Sequence, residues 1–250
     1  MKLFLRISLT LALVLTLGPP LLTTANAQQQ DDDAFAEVLS RYGSLNVQRN
    51  GAAVDTELAQ RMYRRGNTYS NLERYEEAIA EYRKAVAADP GFTEALRNLA
   101  NTYYYLERYD EAKPFLARFV ALQEGEGTTA GLIAAVSTLG ELERNEGNYD
   151  VSVVYDLKAI ELDPGNDSQV HIMANMYLNN DHPGYAIRIY EKAIEVMPGN
   201  AFYYRTLGRI HEQNAELDRA LARYEQAAEA DPDSSFYEDL VESTRARLQR

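Results

Sequence analysis

Leu72-Glu73-Arg74-Tyr75-Glu76-Glu77-Ala78 returns 34 residues later as Leu106-Glu107-Arg108-Tyr109-Asp110-Glu111-Ala112. Self-similarity at such a period marks stacked supersecondary units, not one closed core. A second phrase keeps the same rhythm: Ala88-Asp89-Pro90, Leu162-Asp163-Pro164, Val196-Met197-Pro198 and Ala230-Asp231-Pro232. The last three prolines are 34 residues apart, whereas Pro90 and Pro164 are 74 apart, two periods plus six residues. The chain therefore divides into five units, 59–92, 93–126, 133–166, 167–200 and 201–234, with an inserted loop at 127–132. The adjoining run Glu124-Gly125-Glu126-Gly127-Thr128-Thr129 reads as a loop and a helix start.

Each unit splits into two amphipathic helical patterns. In the fifth, Phe202, Tyr203, Leu207, Gly208 and Ile210 mark the first helix; Ala220, Leu221, Tyr224, Ala227 and Ala228 mark the second. Steps of three and four residues put these side chains on one helical face and exclude a strand. The fold class is all-α. Helices this short are marginal alone, so each must bury its apolar stripe against its neighbours.

Small and aromatic residues recur in fixed phases. Gly66, Ala100, Gly140, Ala174 and Gly208 share one position of the first helix; Ala78, Ala112, Ala186 and Ala220 share one of the second, where Ser152 stands in the third unit. Small side chains let paired helices approach closely. Tyr82, Tyr190 and Tyr224 share a second-helix phase taken by Leu116 in the second unit and Asp156, beside Tyr155, in the third. The third unit is the least regular. Proline after a helix withholds a backbone donor and turns the preceding residue away from helical geometry, ending one hairpin before the next begins.

These phases, with Ala85, Ala159, Ala193, Ala227 and the recurring proline, resemble the tetratricopeptide repeat family over about 170 residues. The tryptophan usual early in the first helix is absent; Met62, Leu96, Val136, Val170 and Tyr204 stand there. The resemblance implies an α-α superhelix, a right-handed solenoid with a concave groove lined mainly by first helices. Spacing alone gives stacked helical hairpins.

The chain opens like an export leader. Lys2 and Arg6 precede the apolar run Leu9–Leu17, Gly18-Pro19-Pro20 breaks it, and Ala25-Asn26-Ala27 offers small residues for cleavage after Ala27. Residues 1–27 are thus expected to be a signal peptide, and the chain periplasmic or secreted, with no direct membrane insertion after cleavage. The alternative is retention as an anchor, for which the apolar run is short. Residues 28–58 read as a polar tether, Gln28 to Asp33, followed by an N-terminal capping helix with Phe35, Val38, Leu39, Tyr42 and Leu45 covering the first repeat or docking as a loose arm. Residues 235–250, with Phe236, Leu240, Val241 and Leu248, read as a C-terminal capping helix that hides the last apolar face.

The 250-residue chain carries a formal charge of −13, and −15 without residues 1–27. That balance excludes nucleic acid as a partner, since phosphate binding needs clustered basic charge. With no cysteine, neither disulfide nor thiolate chemistry is available. His171 and His182, in the fourth unit, and His211, in the fifth, form no metal-ligand spacing, and no glycine-rich phosphate loop precedes a Lys-Ser/Thr pair. No catalytic residue, metal site or cofactor is expected, and the chain is not expected to be an enzyme.

Projecting the family's groove onto this sequence names Tyr63, Arg64 and Asn67; Arg97, Asn98, Asn101, Tyr104 and Tyr105; His171 and Asn175; and Arg205 and Arg209 as partner-binding residues. The third unit contributes Ser137, Thr138, Glu141, Arg144 and Asn145 to the same face. Asn67, Asn101 and Asn175 share a phase, and an amide can fix an extended peptide backbone by donating and accepting at once. The arginines suit carboxylates. The carboxylate clamp of some family members is not expected: Tyr63 replaces one basic residue, and Ala134 and Thr138 replace two more. The function implied is a non-catalytic adaptor or scaffold that binds a protein or extended peptide, for instance in an envelope complex. The alternative is a structural module that homo-oligomerises through solenoid ends or faces.

Overall fold

A computed structural model describes residues 24–42, 54–123 and 126–249, and among these there are twelve α-helices and no strand. In chain order they are α1 Thr24–Ser40, α2 Thr56–Asn71, α3 Tyr75–Ala88, α4 Thr93–Tyr105, α5 Tyr109–Gln123, α6 Ala130–Asn145, α7 Tyr149–Leu162, α8 Asp167–Asn179, α9 Pro183–Val196, α10 Ala201–Gln213, α11 Leu217–Ala230 and α12 Ser235–Leu248. Helices α2 to α11 form five antiparallel hairpins, and α12 packs on α11. The chain is an all-α repeat solenoid. The six extra residues are shared between the connection and α6, which starts at Ala130 with Thr129 as its N-cap, the hydroxyl accepting from Leu132 N at 3.1 Å.

One backbone device closes all five hairpins. The amide of Arg74 donates to Tyr69 O, Arg108 to Tyr103 O, Asn148 to Glu143 O, His182 to Tyr177 O and Glu216 to His211 O, each at 2.9 Å. These 6→1 bonds are the Schellman signature, which places the preceding residue in the left-handed region. Glu73, Glu107, Gly147, Asp181 and Ala215 occupy it, with φ of 58°, 58°, 80°, 61° and 59°. Only Gly147 adopts it without steric cost.

Inside the first and fifth hairpins, an aromatic ring lies on the backbone of a glycine. A Cβ on Gly66 would come within 2.5 Å of the Tyr82 ring, and one on Gly208 within 2.4 Å of the Tyr224 ring. The first and fifth hairpins are accordingly the most intimately packed. Apolar residues such as Leu96, Leu99, Leu139, Ile189 and Leu207 complete a core that runs from hairpin to hairpin.

The N-terminal segment differs from expectation. Residues 28–33 are helical, not a tether, and α1 runs through the expected cleavage point after Ala27. Nor does α1 cover the first repeat. Phe35, Val38 and Leu39 are buried, and the helix packs on α7 and the edge of α5. The physical reason lies in α7. Val151, Val153, Val154, Tyr155, Leu157, Ala159 and Ile160 are all buried, so this helix is apolar on both sides and needs a cover beyond its hairpin partner. Tyr42 donates to Glu143. Leu45 lies outside the described residues. At the other end, α12 covers α11 incompletely: Thr244 is buried, while Phe236 and Leu248 stay exposed.

Two opposite substitutions test this packing. Gly208→Ala is expected to lower stability by about 1–3 kcal/mol through the clash with Tyr224, roughly 2–10 °C in Tm for a chain of this size. Ala215→Gly, relieving left-handed strain, is expected to raise stability by up to about 1 kcal/mol. Thermal and urea unfolding of the two variants checks both signs.

Candidate functional site

Along one face, side chains bridge α2 to α4, α6 to α8 and α8 to α10. Gln169 Nε2 on α8 donates to Ser137 Oγ on α6 at 2.8 Å. Tyr203 on α10 donates to Asp167 at the start of α8, which also accepts from Asn200 Nδ2 at 3.3 Å. The face holds two separate clusters of the residues named from sequence.

The first spans α2 and α4. Asn98 Nδ2 donates to Asn67 Oδ1 at 3.0 Å and to Tyr63 OH at 3.2 Å, and Tyr82 OH donates to the same Asn67 oxygen at 2.7 Å. With two donors on it, that carbonyl has no lone pair left for a ligand. Tyr63 also packs on Phe92, with ring centroids 5.0 Å apart. Tyr63, Asn67 and Asn98 thus tie the first hairpin to the second. Arg64, Arg97 and Asn101 border this network, Arg64 and Asn101 exposed and Arg97 half-buried.

Tyr104 and Tyr105 are directed to the hairpin-turn edge. Tyr104 packs on Tyr109 at 5.4 Å, and Tyr105, 66% exposed, packs on Tyr75 at 4.8 Å. With exposed Leu72 and Tyr109 they form an aromatic rim.

The second cluster spans α8, α10 and α12. The His171 ring lies edge-on to Phe202 at 4.5 Å, with its Nδ1 3.0 Å from Tyr190 OH. Burial holds its pKa below the ordinary value, against the pull of Asp167 and aided by Arg205, so the ring is neutral at pH 7. Burial also pushes the Tyr190 hydroxyl up to about 12. The Arg205 guanidinium sits 4.4 Å over Phe202 and 5.9 Å from Phe236, a cation–π stack. Exposed Ile172, Asn175 and Arg209 surround it.

Between the clusters, one expectation fails. Arg144, named as a groove residue, is 7% exposed. Its Nη1 donates to Asp156 Oδ2 at 2.5 Å and to Ser152 Oγ at 3.0 Å, and Tyr177 OH donates to the same aspartate oxygen at 2.6 Å. The cause is the substitution in the repeat: Asp156 takes the phase held by tyrosine in the first, fourth and fifth units, and its buried charge draws Arg144 inward. A Cβ on Gly140 would meet Asp156 Oδ1 at 2.7 Å, so the carboxylate fills the ring's place. The sequence signal for this, Asp156 at an apolar phase, was legible; its partner was not.

The basic residues divide into those that hold carboxylates and those that do not, on both faces: Arg61 and Arg65 on α2 are paired with Glu57 and Glu81. Arg74, Arg108, Lys113, Lys158, Lys192 and Arg223 all hold carboxylates within 4.0 Å. Arg64, Arg97, Arg205 and Arg209 make no ion pair among the described residues. These four arginines lie on first helices, where their guanidinium groups have no carboxylate partner among the described residues. Among the described residues, no group of three or more His, Asp or Glu side chains could hold a metal ion, and no helix is long and apolar enough to cross a membrane.

The tetratricopeptide repeat family matches residues 72–130 and again 173–235. No curated protein matches the chain. Among solved structures, the MamA protein is similar at 24% identity, covering 73% of this chain and 96% of its own, with a TM-score of 0.47. YrrB, described as a TPR protein with an unusual peptide-binding site, aligns at 19% identity over 82% of this chain and 95% of its own, with a TM-score of 0.44. Residues 41 to the end of MamA from Desulfovibrio magneticus RS-1 align at 15% identity over 73% and 99%, also at 0.44. At these scores the likenesses carry no functional argument.

The Arg144–Asp156 pair makes a pH prediction. Burial outweighs the attraction of Arg144 and the hydrogen bonds of Tyr177 and Ser152, and pushes the Asp156 carboxyl from 3.8 to about 6. The folded chain therefore binds this proton more tightly than the unfolded chain. That contribution is complete below about pH 4 and is lost as pH rises through 6, about 3 kcal/mol in all. Arg144→Met combined with Asp156→Leu is expected to remove this slope and to be neutral or stabilising by about 1–4 kcal/mol at pH 7. Asp156→Leu alone is expected to cost about 3–5 kcal/mol, because it leaves a buried guanidinium unpaired. Urea unfolding at pH 4.5 and 7 measures both effects.

Proposed function

The chain is a tetratricopeptide-repeat protein, and we propose that it is a non-catalytic scaffold that holds a protein or extended peptide along its first-helix face. The single observation that carries this reading is the set of unpaired arginines, Arg64, Arg97, Arg205 and Arg209, on the face where the amides of Asn101 and Asn175 are also exposed. Guanidinium groups held ready without an internal carboxylate suit a partner that brings its own. The overall charge of −13 repels an acidic partner at long range, but screening over about 8–10 Å at physiological salt leaves the local arginines to decide the contact. The partner segment is therefore acidic and carries apolar side chains for Ile172, Phe202 and Phe236, all exposed at the C-terminal cluster.

The workplace proposed is the periplasm or the extracellular space, as part of an envelope complex. This rests on the leader-like pattern of residues 1–27.

Photo-reactive residues at Asn101, Ile172 and, as a control on α3, Arg83 test the reading in cells. Cross-links to one partner from Asn101 and Ile172 but not from Arg83 are expected. Arg205→Glu with Arg209→Glu is expected to weaken capture of that partner at least ten-fold, while Arg83→Glu leaves it unchanged. Cross-links confined to Arg83, or capture indifferent to the arginine pair, would overturn the assignment.

A further inference from the structure

At the end of each first helix, one position is an exposed amide in four of the five hairpins: Asn71, Asn145, Asn179 and Gln213. In the second hairpin it is Tyr105, 66% exposed. The repeat asks for no ring there, and burial does not account for one. Tyr105 packs on Tyr75 of the first hairpin at 4.8 Å. Leu72, 60% exposed, and Tyr109, 38% exposed, lie on the same turn edge. Apolar surface left open together in this way marks a place of contact with another molecule.

The charge around these rings has one sign in excess. Residues 72–78 and 106–112 together hold six carboxylates and two arginines. Both arginines are already engaged. Arg74 pairs with Glu77 at 2.5 Å and lies 4.8 Å over the Tyr69 ring. Arg108 pairs with Glu111 at 2.9 Å and with Glu76 at 3.0 Å, and lies 4.8 Å over the Tyr103 ring. Glu73, Glu107 and Asp110 make no ion pair among the described residues. The Arg108–Glu76 pair and the Tyr105–Tyr75 contact both cross from the first hairpin to the second. The surface is thus held in place before a partner arrives, which lowers the ordering cost of binding.

We propose that the turn edge of the first two hairpins docks a Lys- or Arg-rich segment of a partner protein. A cationic side chain lays its apolar stem along a tyrosine ring and carries its charge to a carboxylate beside it. Arg74 and Arg108 make this arrangement internally, each with a ring and a carboxylate. Glu73 and Glu107, with the open rings of Tyr105 and Tyr109, offer it to an outside cation. The overall charge of −13 draws a basic segment in at long range. The turn edge is separate from the first-helix arginines, so this assignment stands or falls apart from the partner assignment above. A scaffold with both surfaces joins two partners of opposite charge.

Fluorescence anisotropy on the full chain tests it with labelled peptides of equal length that alternate serine with arginine, with glutamate or with leucine. The arginine peptide is expected to bind, and the other two are not. Tyr105→Asn, which copies the amide of the other hairpins, is expected to weaken that binding at least five-fold. Glu73→Gln combined with Glu107→Gln is expected to do the same. Glu238→Gln with Asp239→Asn, an equal change of charge at exposed positions of α12, is expected to leave it unchanged. Equal weakening by the α12 pair would mean attraction by net charge alone and would overturn the proposal. So would an arginine peptide that does not bind, an affinity indifferent to Tyr105→Asn, or a leucine peptide that binds as well. Self-association that is lost on Tyr105→Asn, without arginine-peptide binding, would overturn it in favour of a second copy on the rim.

Discussion

The structure depends on rings pressed against backbone. Where Tyr82 meets Gly66 and Tyr224 meets Gly208, the first helix has no side chain to hold its partner off. The two helices close to a distance at which one large ring fills the gap. Each hairpin still leaves apolar surface on its flanks, and the next hairpin covers it. A solenoid is the only arrangement that repeats this step without limit. The tight turns follow from the same closeness: helices this near must reverse within a few residues, and the 6→1 bond with a left-handed residue achieves that even where the residue is Glu73 or Ala215.

The third hairpin breaks the rule and shows what the rule does. With Asp156 in the ring's place, the space beside Gly140 is filled by a carboxylate, bonded by Arg144 and Tyr177. Tyr155, one residue earlier, is fully buried against Phe35 of α1. One position of drift along α7 thus moves about 100° around the helix and turns an internal ring into part of an outer binding surface. The buried charge that replaces it removes Arg144 from the partner-facing side. The missing groove arginine follows from Asp156, and the docked arm follows from an α7 that is apolar on both sides, Tyr155 included.

Much of this was legible in the sequence, and the limits have physical causes. The period of 34, the small-residue phase and the proline punctuation place the hairpins because each repeats five or nearly five times. Tyr104 and Tyr105 sit on the right helix, but their direction depends on Tyr109, across the hairpin turn, and on Tyr75, 30 positions earlier at the start of α3. Asn67 reads as a ligand-binding amide, yet its oxygen is consumed by Tyr82 and Asn98, a contact between helices 31 residues apart. The docking of α1 on α7 was beyond reach, because no local pattern indicates which of five hairpins a solitary amphipathic helix will choose. The irregularity of the third unit was visible; that it marks a second binding surface required the coordinates.

The claim that α7 is held from both sides is open to one direct measurement: amide hydrogen exchange along the whole chain, with and without Phe35→Ala. The account predicts that losing this ring speeds exchange in α1 and in α7 between Val151 and Ile160, and leaves α3 and α11 unchanged, since Tyr82 and Tyr224 keep their own interlocks. Exchange in α7 as slow in the variant as in the unmodified chain would contradict it. The third hairpin would then be complete without its arm.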